Sequence, residues 1–205
     1  MSQTLRAPLE TAEEPVSPAS RVKHYGLIAA WLLILLGGFV WTVDYETRPG
    51  VPATAGQLWP NETGLTLAPR GSTLVMFMHP NCPCSLASLE ELGPLVRRHP
   101  TVKAYVVFVQ AEEQSPPPEN ISRANSIPGV TVCRDEDGRE AGRFGSQTSG
   151  NLFVFNAAGQ LTFEGGITPA RGHVGENAGS VAAENAIEHP TGAARHTPVY
   201  GCPLF

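Results

Sequence analysis

One stretch of the chain is apolar on every side. Residues 24–43 contain no Asp, Glu, Lys or Arg, and the run from Gly26 to Val43 reads GLIAAWLLILLGGFVWTV. At 1.5 Å per helical residue, about 20 such residues reach roughly 30 Å, the thickness of a bilayer's hydrocarbon core. Trp31 and Trp41 lie toward its two ends, where interfacial aromatic side chains sit. A buried core helix could show the same run, but no compact sequence surrounds it on the N-terminal side. A signal peptide would have a shorter apolar run with a small-residue cleavage site behind it. The pattern predicts an uncleaved transmembrane helix at 24–43.

Beyond the span the period changes. Residues 44–71 carry Pro49, Pro52, Pro60 and several glycines with no clear period, which predicts a linker ending in a short strand near Leu65–Leu67. Thr73–Met78 is a short continuous apolar run, as in a buried parallel strand. From Ser85 to Arg98, Leu86, Leu89, Leu92, Leu95 and Val96 recur at helical spacing, with Arg97 and Arg98 in the last turn, where they suit the helix dipole. Val102–Gln110 reads as a second buried strand, the triple proline Pro116–Pro118 as a break, and Glu119–Ser126 as a short helix. Val130–Cys133 reads as a third strand, closed by the turn Asp135–Gly138. Asn151–Phe155 and Gln160–Glu164 flank a hairpin turn, and the Ala-rich Glu176–Glu188 is the last helix. Strands alternating with helices imply a parallel α/β sheet with right-handed crossovers.

Charge changes the picture in two ways. Only 16% of residues are charged and the net charge is -5, which excludes the basic stripe of a nucleic-acid binder. A mean hydropathy of -0.09 excludes a multi-span transporter. Arg21 and Lys23 precede the span, while Asp44 and Glu46 follow it. The positive-inside rule then puts 1–23, a Pro/Ser/Thr/Glu-rich segment expected to be disordered, in the cytoplasm, and everything from residue 44 on the periplasmic or extracellular side. All four cysteines fall on that outer side, where disulfides can form. The outer part divides into the linker 44–71, an α/β domain at 72–190 and a tail at 191–205 carrying Cys202. Asn61-Glu-Thr and Asn120-Ile-Ser match glycosylation sequons, a pattern too common by chance to carry weight.

The chemistry sits where the first strand hands over to the first helix. His79-Pro-Asn-Cys82-Pro-Cys84-Ser85 lies at the carboxyl end of a central strand, where open α/β sheets place their sites. It is also a helix N-terminus, where free N–H groups stabilise a thiolate and lower its pKa. Inert buried cysteines are the plain alternative, and they rarely come as Cys-Pro-Cys on such a turn. A Cys82–Cys84 disulfide would close a smaller ring than Cys-x-x-Cys and so be strained and oxidising. Cys133 ends the third strand on the same edge, either as a small core residue or as a thiol partner. With four cysteines, Cys82–Cys84 plus Cys133–Cys202 is the first expected pairing, and Cys202 resolving Cys82 the second. Arg171 and His173, on the loop after strand 160–164, could face the cysteine pair and favour its thiolate. His79, three residues before Cys82, is a third candidate for that role.

The run Phe77-Met-His-Pro-Asn-Cys-Pro-Cys-Ser-Leu-Ala-Ser-Leu-Glu-Glu-Leu92 resembles the active-site segment of membrane-anchored, thioredoxin-like thiol–disulfide oxidoreductases. The resemblance covers roughly Leu65–Glu188 and implies a thioredoxin-like three-layer α/β sandwich behind a single N-terminal transmembrane helix. Aligned without a gap, Cys82 falls on the family's nucleophile and Ser85 on its resolving cysteine, with Cys84 between them. So the chain has Cys-x-Cys-Ser where the family has Cys-x-x-Cys. A second departure is Thr148-Ser-Gly150, where the family places a cis-proline that shapes substrate docking and discourages metal binding. The segments Gly166–His173 and Pro198–Leu204 look like those of a bacterial subgroup sometimes labelled RedB.

These residues support an enzyme without a bound cofactor that exchanges disulfides with protein thiols outside the cytoplasm, Cys82 attacking and Cys84 resolving. A metal-handling alternative uses Cys82, Cys84 and His79 or His173, two soft thiolates and an imidazole suited to copper(I). Thioredoxin-like copper chaperones use a comparable set at different spacing. The remaining alternative is a non-catalytic binding module that keeps the fold. A peroxidase is weakened by His79 standing where a threonine would be expected.

Overall fold

The computed structural model describes residues 18–109 and 118–205. Its contacts divide the chain into two units, Met1–Val43 and Asp44–Phe205. Helix α1 runs Pro18–Thr47, longer at both ends than the expected 24–43, because polar flanking turns continue the helix beyond its apolar run. Within it Val22–Thr47 holds an 18-residue stretch of mean hydropathy 2.2, none of it buried, so the helix is long and apolar enough to cross a membrane. The expectations for residues 1–17 and for Gln110–Pro117 lie outside the described residues.

The outer unit is built on one six-stranded mixed sheet of order β3-β2-β1-β4-β5-β6. The strands are β1 Thr73–Met78, β2 Lys103–Val109, β3 Val130–Asp135, β4 Asn151–Phe155, β5 Leu161–Gly165 and β6 Arg195–His196. β1, β2 and β3 run parallel, as their apolar runs predict, with Met76 opposite Val106 and Val106 opposite Val132. β4 pairs antiparallel with β1 and forms the expected hairpin with β5.

Strand geometry sends alternate residues to opposite faces. Leu74, Met76 and Met78 of β1 join one core cluster, while Val75 and Phe77 join the other. The first face is covered by α2 (Ser85–Arg98), α3 (Glu119–Asn125) and α5 (Ala178–Glu188), through Leu89, Leu92, Ile121, Ala124 and Ala183. α2 has the boundaries its leucine period predicts, even with Pro94 inside it. α5 starts two residues later than expected, because Asn177 caps it: its side chain accepts from the N–H groups of Gly179 and Ser180.

The second face differs from the sequence reading. It is covered by a short helix, α4 (Arg139–Phe144), and by chain expected to be linker. Ala53, Ala55, Trp59, Leu65 and Leu67 pack here, and Trp59 stands edge-on to Phe144 and Phe155 at 5.3 and 5.1 Å. No strand forms at 65–67; Leu58 instead makes an isolated bridge to Gln160. The physical reason is area: a sheet facing an aromatic cluster must be covered, and apolar side chains on irregular backbone can do that. β3 also runs on to Asp135, whose carboxylate accepts from the Ala141 N–H at the start of α4.

The C-terminal segment is equally part of the fold. β6 adds parallel to β5, and the buried Glu164 carboxylate accepts from Asn151 Nδ2 at 2.8 Å and lies 3.0 Å from His196 Nδ1. Val199 and Leu204 are buried, and the Gly50 N–H donates to the Val199 carbonyl.

Candidate active site

The turn from β1 into α2 is fixed from several sides. The Cys82 N–H donates to the His79 carbonyl and the Ser85 N–H to the Cys82 carbonyl, making two tight turns ahead of the helix. Asn120, at the start of α3 and 4% exposed, places its Nδ2 within reach of three carbonyls of this loop: Pro80 at 2.8 Å, Cys82 at 2.9 Å and His79 at 3.4 Å. The His79 N–H donates to Ser149 Oγ, which also lies 2.7 Å from Ser85 Oγ. Buried amide groups must be satisfied, so this network sets the loop's shape. Asn120 did not stand out as functional in the sequence, and Ser149 drew notice only within Thr148–Gly150, where a cis-proline was missing. Asn120 drew notice only as a sequon, and its burial and engaged amide show why a surface pattern misreads it.

The tail completes the site. Its residues lie antiparallel to the segment just before β4: the Ser149 N–H donates to the Cys202 carbonyl, Thr148 bridges Pro203, and the Leu204 N–H donates to the Gln147 carbonyl. Gly201 is needed for this approach, since a Cβ there would stand 1.9 Å from the Ser149 carbonyl oxygen. The result brings Cys202 Sγ to 2.6 Å from Cys82 Sγ, across 120 residues of chain. That lies between the ~2.05 Å of a disulfide and ordinary sulfur contact. The sulfurs of Cys82, Cys84 and Cys202 are all within 4.8 Å of one another. The structure brings Cys202 to Cys82, the second of the expected pairings, rather than to Cys133, and no disulfide links any two of the four cysteines in it.

The three thiols have different acidities. Burial pushes Cys82 up, but hydrogen bonds from the Cys202 thiol, from Ser85 and from the backbone at Cys202 and Cys84 outweigh it, so its pKa falls below the ordinary cysteine value. Cys84 is raised by burial and by the neighbouring Cys82 charge, partly offset by Arg171. Cys202 is pushed up to about 12, first by burial, then by its hydrogen bond to Cys82 and the charges of Cys82 and Cys84. Cys82 is therefore the most acidic thiol of the cluster, with Cys202 as the donor beside it.

The other candidates separate cleanly. Arg171 reaches the cluster: Nη1 donates to the Gly201 carbonyl, the guanidinium lies 5.2 Å from the centre of the Tyr45 ring, and its charge favours the thiolates of Cys84 and Cys202. His173 does not. It is exposed, its Nδ1 is 2.9 Å from the Arg171 carbonyl and its Nε2 faces Glu46. The backbone of His79 shapes the loop and its Nδ1 accepts from the Asn81 N–H. Cys133 packs against the Phe77 face of the sheet, its thiol raised by burial and by Glu140.

Parallel β1, β2 and β3, an antiparallel β4–β5 hairpin on the far side of β1, and a cysteine on the turn into α2 together decide the architecture. The fold is thioredoxin-like. Two solved structures agree on its outline. An uncharacterised conserved protein from Geobacillus kaustophilus superposes with a TM-score of 0.56 at 18% identity, covering 77% of this chain and 92% of that one. A hypothetical protein from Sinorhizobium meliloti gives 0.53 at 17% identity, covering 77% and 93%. A secreted Mycobacterium tuberculosis disulfide oxidoreductase, described as homologous to DsbE of Escherichia coli, gives 0.42 at 14% identity, covering 58% and 81%. No family model matches the chain, and no curated protein matches it.

Proposed function

We propose that the protein is a membrane-tethered, extracytoplasmic thiol–disulfide oxidoreductase whose nucleophile is Cys82. One observation carries this reading: a thiolate-favouring cysteine at a helix N-terminus with a second thiol in sulfur contact. The span at Val22–Thr47 supplies the tether, and the basic residues before it with acidic residues after it favour an outward-facing domain.

The Cys82 thiolate attacks one sulfur of a substrate disulfide, forming a Cys82–substrate bond and releasing the other substrate sulfur as a thiolate that takes up a proton. Capping Cys82 removes its negative charge, one of the causes that hold the Cys202 proton in place. Cys202 then deprotonates and attacks Cys82 Sγ, freeing the second substrate thiol and leaving a Cys82–Cys202 disulfide. Two electrons have passed to the substrate, and a dithiol protein of the same compartment must return them. The geometry favours Cys202 over Cys84 as the resolving thiol. Arg171 supports it by placing positive charge beside Cys84 and Cys202.

The test uses the reduced full chain in detergent with a disulfide-bonded peptide. Cys82→Ser is expected to lower exchange ~10³-fold or more, as loss of a nucleophile does. Cys202→Ser is expected to accumulate the Cys82–peptide mixed disulfide, visible by mass. Wild-type exchange in Cys82→Ser would overturn the proposal.

A further inference from the structure

Three sulfurs in one cluster have a use that disulfide chemistry leaves open. Exchange needs two thiols, and Cys82 with Cys202 meets that need; Cys84 is then a third, buried sulfur within 4.8 Å of both. We infer that reduced Cys82, Cys84 and Cys202 form a three-thiolate binding site for copper(I), which goes beyond the exchange activity proposed above.

The donor set selects the metal class. The cluster consists of three soft sulfurs, and among the described residues no imidazole or carboxylate joins it. Soft thiolates prefer copper(I) among the first-row metals, whereas zinc takes four ligands in closed sites. With metal–sulfur bonds of ~2.3 Å, a trigonal ion holds its three sulfurs ~4 Å apart, inside the spacing already present. The Cys82–Cys202 contact must open, and Cys202 rides on a tail segment rather than on a strand or helix of the sheet.

The surroundings supply the charge such a site needs. One copper(I) bound by three thiolates carries a net charge of two minus; beside the Cys82 thiolate, Cys84 and Cys202 each release a proton as it binds. Arg171 lies close enough to Cys84 and Cys202 to offset it, with its Nε buried and without a hydrogen-bond partner among the described residues. The N-terminus of the fourteen-residue α2 adds its positive dipole end. Metal and disulfide then exclude each other, because the Cys82–Cys202 bond removes two of the three ligands. The histidines of the sequence-derived copper set are replaced here by Cys202.

The experiment titrates the reduced full chain in detergent, without oxygen, with copper(I) against a coloured copper(I) chelator, and reads the bound form by X-ray absorption. One copper(I) per chain on three sulfurs is expected. Cys202→Ser and Cys84→Ser should each weaken binding at least as far as the 10–100-fold that loss of a mere supporting contact costs, and Cys133→Ser should leave it unchanged. Full oxidation should abolish it. Undiminished binding in either ligand variant, a nitrogen ligand in the absorption spectrum, or tighter capture of zinc(II) than of copper(I) would overturn the site. Peptide exchange measured on the same preparations separates the two readings: a chain that exchanges disulfides but ignores copper(I) refutes this inference alone.

Discussion

The β1–α2 turn and the C-terminal tail each bring cysteine to one cluster, by opposite means. The turn is local: Cys82 and Cys84 are two residues apart, and the strand, the helix and Asn120 hold them. The tail is long-range, with Cys202 arriving across 120 residues through backbone pairing to Gln147–Ser149. The turn fixes where Cys82 sits, but both the sulfur in contact with it and the first of the hydrogen bonds that lower its pKa depend on the tail being seated. Position is thus encoded locally, reactivity and reversibility by the whole fold.

The strongest way to break the comparison is to unseat the tail without touching a thiol. Gly201→Ala places a methyl into the Ser149 carbonyl, and overpacking of that kind costs about 1–3 kcal/mol. Thermal melting should show the loss, and oxidation should no longer yield a Cys82–Cys202 disulfide by peptide mapping. If that disulfide forms at the wild-type rate, the seat described here is not what brings the sulfurs together.

Asn120→Ala attacks the other region. It strands buried carbonyls of Pro80 and Cys82, a loss of about 1–3 kcal/mol. Slower exchange with the Cys82–Cys202 link still formed is the expected signature, and an unchanged melting temperature would show that the turn holds itself.

Cys202→Ala sharpens the electrostatic link between them. Removing the hydrogen bond that Cys202 donates to Cys82 should raise the first thiol titration, because the charged form loses its main stabilising contact. The sign follows from linkage. Cys82 is lowered in the fold, so its contribution to stability is present above the ordinary cysteine value and is lost as pH falls through the folded one. Cys202, raised to about 12, contributes below the ordinary value and loses that contribution as pH rises toward 12. The cluster titrates as a unit, and ultraviolet thiolate absorbance against pH reads its first step; a step that stays put in Cys202→Ala would refute the coupling. Cys133→Ser, outside the cluster, should leave exchange within experimental error, and a large loss would reinstate Cys133 as a partner.

The same contrast explains what could be read from the sequence. Thr73–Met78 and Ser85–Arg98 carry their periods within a few residues, so the strand, the helix and the thiolate position between them were legible. Arg139–Phe144 is too short to show a period, and Trp59 looks like a loop residue and Leu65 like part of a short strand until the aromatic face they cover is known. The tail is harder still. Pro198, Gly201 and Pro203 show no strand or helix period, yet the segment that holds them makes the close backbone approach at Ser149. Asn120 gave no signal because its function is to satisfy carbonyls on a distant loop.

Cys82 is only 2% exposed, and the tail lies beside it. A sulfur already in contact has an effective concentration far above that of any free thiol; well-oriented intramolecular groups reach ~10⁵ M and more. Small thiols present at millimolar levels would therefore compete poorly for Cys82. For the exchange proposed above, selectivity would pass from the reacting atom to the fastening: a polypeptide partner can offer backbone hydrogen bonds in place of those the tail makes with Gln147 and Ser149.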